Sequence, residues 1–194
     1  MSLSFPNSGD GNGKPWARLD GRTGIMFVSS PDGKSPVDLK GKVLSLNLAN
    51  ATQGWLKVET GGTDWQPIVD GQWGNPPSAD HKPAVDVDLY CKDASFGDAK
   101  VRTARGNSRA WTSFIGQVSE KVGPVEQGAW PTIRIDAVRV VKVGAGSTIA
   151  IDFTLAPKEK WVSEASIAGD APQAPEPAPK PAAKPAPASM DDEF

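Results

Sequence analysis

Over long stretches of this chain polar and apolar residues alternate with a period of two. Leu44, Leu46 and Leu48 are separated by Ser45 and Asn47, and Val85, Val87 and Leu89 by Asp86 and Asp88. Ile149, Ile151, Phe153 and Leu155 alternate with Ala150, Asp152 and Thr154. Successive side chains of a strand point to opposite faces, so each run predicts a strand with one face buried. Ile133-Arg134-Ile135-Asp136 starts the same way, but the phase slips over Ala137–Val143. A slip of one residue predicts a bulge, or a strand that turns a barrel corner. Gly61-Gly62-Thr63-Asp64 separates Trp55–Thr60 from Trp65–Val69 and predicts a hairpin, with Pro67 confining its strand to an edge or a bulge. Gly144-Ala145-Gly146-Ser147 predicts a second hairpin, and Gly106-Asn107 a third. Only Lys158–Ala165 reads as a helix, and it is short. Seven to nine strands with Gly/Pro-rich loops predict an all-β barrel or sandwich.

The alternation stops near residue 169. From Ala171 to Ala188 seven residues are Pro, seven are Ala, and none is aromatic or β-branched. Proline blocks helix and sheet, so this stretch is expected to be a semi-extended, polyproline-like spacer, kept solvated by Lys180 and Lys184. Three parts follow: a domain over 1–168, a Pro/Ala-rich linker over 169–189, and a tip over 190–194. The net charge of −2 divides accordingly: 1–168 carries net +1 and 169–194 net −3.

Composition narrows the chemistry. The longest apolar run, Ile25-Met26-Phe27-Val28, is far short of the ~20 residues of a membrane span, so no membrane is expected. Met1–Asp20 has no apolar leader segment, and Cys91 is the only cysteine. A cytoplasmic setting is expected, the host's if the protein is viral. The single histidine, His81, lies in a loop-like stretch, Asn75–Pro83, and reads as solvated. Asp86 and Asp88 share one face of a strand and read as a solvated face rather than a catalytic pair. Gly9–Lys14 lacks the spacing of a phosphate loop. No enzyme, cofactor or metal is expected.

Residues 100–109 hold four cations, Lys100, Arg102, Arg105 and Arg109, and no anion; Trp111 and Phe114 follow. A single-stranded nucleic acid is polyanionic and exposes base faces, so its groove needs cations along the backbone path and aromatic platforms. These cations are the expected phosphate contacts. Trp111, Phe114, Trp55 and Trp73 are the stacking candidates. Tryptophans beside Gly or Pro suit sugar stacking equally, which keeps open a β-sandwich carbohydrate-binding or virion structural module.

The chain ends Met190-Asp191-Asp192-Glu193-Phe194. Three carboxylates with a terminal aromatic ring fit a basic pocket with an apolar floor on another protein. A β core, a Pro/Ala spacer and an acidic tip closed by Phe resemble the layout of single-stranded-DNA-binding proteins of the bacteriophage type. The resemblance implies an OB fold, a five-stranded barrel with additional strands or elaborated loops. It also implies sequence-independent binding of single-stranded DNA. Replication, recombination or repair proteins would be recruited through Asp191, Asp192, Glu193 and Phe194.

Overall fold

A computed structural model describes residues 15–60, 62–69 and 71–170. The spacer from 171 and the tip Asp191, Asp192, Glu193 and Phe194 lie outside the described residues, as does Gly9–Lys14. The fold is mostly β, as expected: an open sheet curled into a half-barrel, compatible with an OB-like architecture. Twelve strands are described rather than seven to nine. They are β1 (Trp16–Leu19), β2 (Ile25–Ser30), β3 (Gly33–Asp38), β4 (Val43–Leu46), β5 (Thr52–Glu59), β6 (Gly62–Pro67), β7 (Lys82–Tyr90), β8 (Val101–Gly106), β9 (Ala129–Trp130), β10 (Thr132–Val143), β11 (Gly146–Leu155) and β12 (Val162–Ser163).

Ten of them form one sheet in the order β11-β10-β4-β7-β8-β1-β2-β3, with β5 on β7 and β6 on β5. β9 and β12 make a separate two-stranded pair. The long strand β7 is the hub. One edge pairs with β8 over Val85–Tyr90, while the other is shared by β5, opposite residues 82–86, and β4, opposite Leu89 and Tyr90. A 3-10 turn at Leu48–Asn50 separates β4 from β5, and lets the β5–β6 hairpin extend from the body. β1 joins parallel to β8, with Trp16 opposite Thr103.

The predicted bulge is real: the β10–β11 register shifts between Ile135 and Ala137, which moves Val138 onto the face already used by Ile133 and Ile135. Both predicted hairpins of this type form, with Glu59 opposite Gly62 and Val143 opposite Gly146, and Pro67 lies on the outer strand β6. The third does not. Ser108 instead caps a helix, α1 (Arg109–Val122), by accepting a hydrogen bond from the Trp111 amide. Ala110, Trp111, Phe114, Ile115 and Val118 form its buried face, packed on β7 and β11. The predicted helix at 158–165 is a 3-10 turn (Lys158–Lys160), β12, and the start of a six-residue helix, α2 (Glu164–Gly169).

The core lies between α1 and the inner face of the curled sheet, with Met26, Leu44, Leu46, Leu89, Phe96, Ile133 and Ile135 fully buried. Gly24 shows how tightly the sheet closes on itself. It has φ +75°, and a Cβ there would collide with Val138 and press on Ile149, so the start of β2 meets the β10–β11 hairpin with no room for a side chain. A smaller cluster of Tyr90, Trp130 and Ile167 seats α2 on the other face. Just beyond α2, Tyr90 Oη donates to Asp170 at 2.5 Å, and Lys92 Nζ is 2.7 Å from the same oxygen.

Candidate functional site

The inner and outer faces of β8 have different jobs. Arg102 and Ala104 point into the core, while Val101, Thr103 and Arg105 point outward. Arg102 is only 3% exposed. Its guanidinium donates to the Phe96 carbonyl through Nε and Nη2, and through Nη1 to the Ser29 carbonyl and hydroxyl at 2.9 and 2.8 Å. It staples the loop at Ala94–Phe96 to β2, and burial lowers its pKa. Arg102 therefore does not lie on a surface that a phosphate reaches. Trp111 and Phe114 are each 2% exposed, with the Trp111 indole N–H donating to the Val85 carbonyl; these rings build the core and offer no stacking face. Lys100 is half-buried with Nζ 3.4 Å from the Gly97 carbonyl, and Arg109 is exposed at the start of α1.

Arg105 does reach a groove. Its Nε and Nη2 donate to Asp86 Oδ2 at 3.0 and 2.6 Å, and its guanidinium lies 4.7 Å from the Trp65 ring centroid. Gly54, on the neighbouring strand, makes room for Trp65: a Cβ there would stand 2.6 Å from the indole. Asp88 accepts from the Thr103 hydroxyl at 2.7 Å, so Asp86 and Asp88 share a face as predicted but are half-buried partners of β8.

The groove, about 680 Å³, runs over the outer face of β1, β2, β3 and β8, and the β5–β6 hairpin forms its far wall through Leu56, Val58 and Thr63. Four cations line it, Arg18, Arg22, Lys34 and Arg105, against two carboxylates, Asp20 and Asp32. Asp20 accepts from the backbone N–H groups of Arg22 and Thr23, the first causes that lower its pKa, and so is spent on the β1–β2 turn. Arg18 and Arg22 are exposed and have no ion pair among the described residues. Strand register sets Arg18 directly opposite Phe27, and Phe27 opposite Pro36. Lys34 Nζ is 4.9 Å from the Phe27 ring centroid, and half-buried Trp16 lies one strand over. The sequence reading missed Arg18, Arg22, Lys34, Trp16 and Phe27. They are scattered through the first three strands, and only the parallel β1–β8 pairing brings them beside Arg105.

Trp55 and Trp73 come together elsewhere. In the β5–β6 hairpin Leu56, Val58, Thr63 and Trp65 share the groove face, while Trp55, Lys57 and Asp64 share the opposite one. There the Trp55 and Trp73 rings meet edge to face, 5.0 Å apart, with Trp73 45% exposed. The loop carrying Trp73 is clamped by His81. That histidine is 5% exposed rather than solvated, hydrogen-bonded from Nδ1 to the Ser78 hydroxyl at 2.9 Å and from Nε2 to Asp64 at 3.1 Å. The turn that makes Ser78 reach back to His81 is what buries it.

No family model, curated protein or solved structure matches the chain. Among the described residues no helix is long and apolar enough to cross a membrane, and no group of His, Cys, Asp or Glu is placed to hold a metal.

Proposed function

We propose that the chain binds single-stranded DNA without sequence preference in the groove between β1–β2–β3–β8 and the β5–β6 hairpin. The observation that carries this reading is the juxtaposition of Arg18 and Arg22, whose guanidinium groups have no ion pair among the described residues, with the half-buried rings of Phe27 and Trp16. Unpaired arginines attract phosphates, and a ring face on the same floor takes a base; one segment of a flexible strand satisfies both. Arg105 serves as a fixed wall, its charge shared with Asp86 and its stem packed on Trp65. The function is protection of the strand, with no bond-making step. The acidic tip, Asp191, Asp192, Glu193 and Phe194, recruits replication, recombination or repair proteins; this part rests on the sequence and its resemblance.

The test is fluorescence anisotropy with labelled oligo(dT) and a duplex of equal length, across a salt series. The native chain is expected to favour the single strand, with affinity falling as salt rises. Each phosphate contact removed, in Arg18→Ala and Arg22→Ala, should lower the log–log slope by about 0.7. Equal binding of duplex and single strand, or an unchanged affinity and slope in the double variant, refutes the reading.

A further inference from the structure

The Trp55–Trp73 corner stands apart from the groove, and its electrostatics differ. Lys57, on the same hairpin face, is engaged by Glu59 at 2.6 Å. Asp64 accepts from His81 and from Gln66, and neither it nor Asp80, both near enough to raise the Lys57 pKa, has a lysine or arginine within ion-pair distance among the described residues. The surroundings of the two rings are thus carboxylate-rich, which opposes a polyanion. They favour a ligand that is apolar, extended and cationic. Two indoles set at 84° form an L-shaped corner, with Pro83 opposite Trp55 on β7 as its continuation. Aromatic corners of this kind take proline rings, and a polyproline-like ligand binds at low entropic cost because it is already extended.

The chain carries such a ligand. Pro175, Pro177, Pro179 and Pro181 alternate with Glu176, Ala178 and Lys180, and Lys184 follows. We propose that the Trp55–Trp73 corner is the receptor for this chain's own Pro/Ala/Lys segment, 171–188. The proline rings would seat on the indoles, and Lys180 and Lys184 would face Asp64 and Asp80. Reach permits it. The segment starts at Asp170, which is tied to Tyr90 at one end of β7. Trp55 stands opposite Pro83, seven residues back along the same strand, or roughly 24 Å at ~3.4 Å per residue. Eighteen residues at ~3.1 Å each span about 56 Å. Docking would set where residues 190–194 are displayed, and it does not depend on the groove's ligand.

The experiment uses the full chain with 5-fluorotryptophan, with the Trp55 and Trp73 resonances assigned through W55F and W73F. A nitroxide is placed on A182C; Cys91, 1% exposed, is shielded from the label. The expected result is paramagnetic broadening of Trp55 and Trp73 severalfold beyond that of the five other tryptophans. K180E/K184E should abolish it, and labelled chain mixed with fluorinated unlabelled chain should not reproduce it. Broadening no greater than that of buried Trp111, or indifferent to charge reversal, overturns the proposal. Broadening that appears only in the mixture gives the site to a second copy and overturns the intramolecular assignment. No nucleic acid is present, so this result and that of the anisotropy test are independent.

Discussion

Replacing Arg102 by alanine removes the side chain that ties the Phe96 carbonyl to Ser29 of β2. Within the cationic run 100–109 Arg102 looks like a phosphate contact, but the structure makes it a staple between the Ala94–Phe96 turn and β2. Arg102→Ala removes two methylenes of packed stem, at about 0.8 kcal/mol each. It also leaves the buried Phe96 carbonyl without its donors, at about 1–3 kcal/mol. Relief from holding a guanidinium out of water acts in the other direction, and it is the cause that lowers the pKa of this group. The net loss is about 3 kcal/mol, which for a body of this size lowers Tm by roughly 6–12 °C. Arg102→Lys should recover little, because a lysine ammonium cannot span Phe96 and Ser29 as the planar fork does. Thermal unfolding by circular dichroism measures the first quantity, and oligo(dT) affinity well below Tm measures the second. The expected pattern is a large drop in Tm with affinity within about twofold of native. Arg18→Ala should give the reverse. An Arg102→Ala protein with native Tm and tenfold weaker binding would refute the reasoning, and would put the guanidinium on the ligand surface.

Phe27→Ala should weaken oligo(dT) binding by about five- to 150-fold, the loss of ~1–3 kcal/mol of stacking, as titration of intrinsic fluorescence would read out. Gly24→Ala and Gly41→Ala share a positive φ, but only Gly24 has Val138 in the way, so urea unfolding should find the first clearly more destabilising, by more than the ~1–2 kcal/mol of backbone strain common to both. The Asp170 carboxyl is held below its ordinary range by Lys92 first and Tyr90 second. A depressed folded pKa means the latch on α2 is fully present above about pH 4 and is lost as pH falls through the folded value. Hydrogen exchange of α2 should therefore accelerate below that pH in the native chain, and Asp170→Asn should remove the pH dependence.

Much of the framework was legible in the linear pattern. Alternation marked β4, β7 and β11, because one-sided burial of a strand leaves a period of two whatever its neighbours are. The phase slip at Asp136 marked the bulge for the same reason. Helix α1 was also legible: Ala110, Trp111, Phe114, Ile115 and Val118 recur at helical spacing behind an N-capping Ser108, but the turn signal of Gly106-Asn107 masked it.

The candidate site was a different matter. Alternation says that Arg102 and Arg105, three residues apart, lie on opposite faces, but not which face of β8 becomes the inside. That choice was made by α1, which covers the Ala104 face, and by the β5–β6 hairpin, which walls the other. Arg18, Phe27 and Lys34 gain their meaning only when β1 pairs with β8 across more than eighty residues of chain. Local sequence determines which residues can be buried together on one face. Tertiary pairing decides what that face opposes, since the energy of a contact depends on which surfaces meet rather than on how near they lie along the chain.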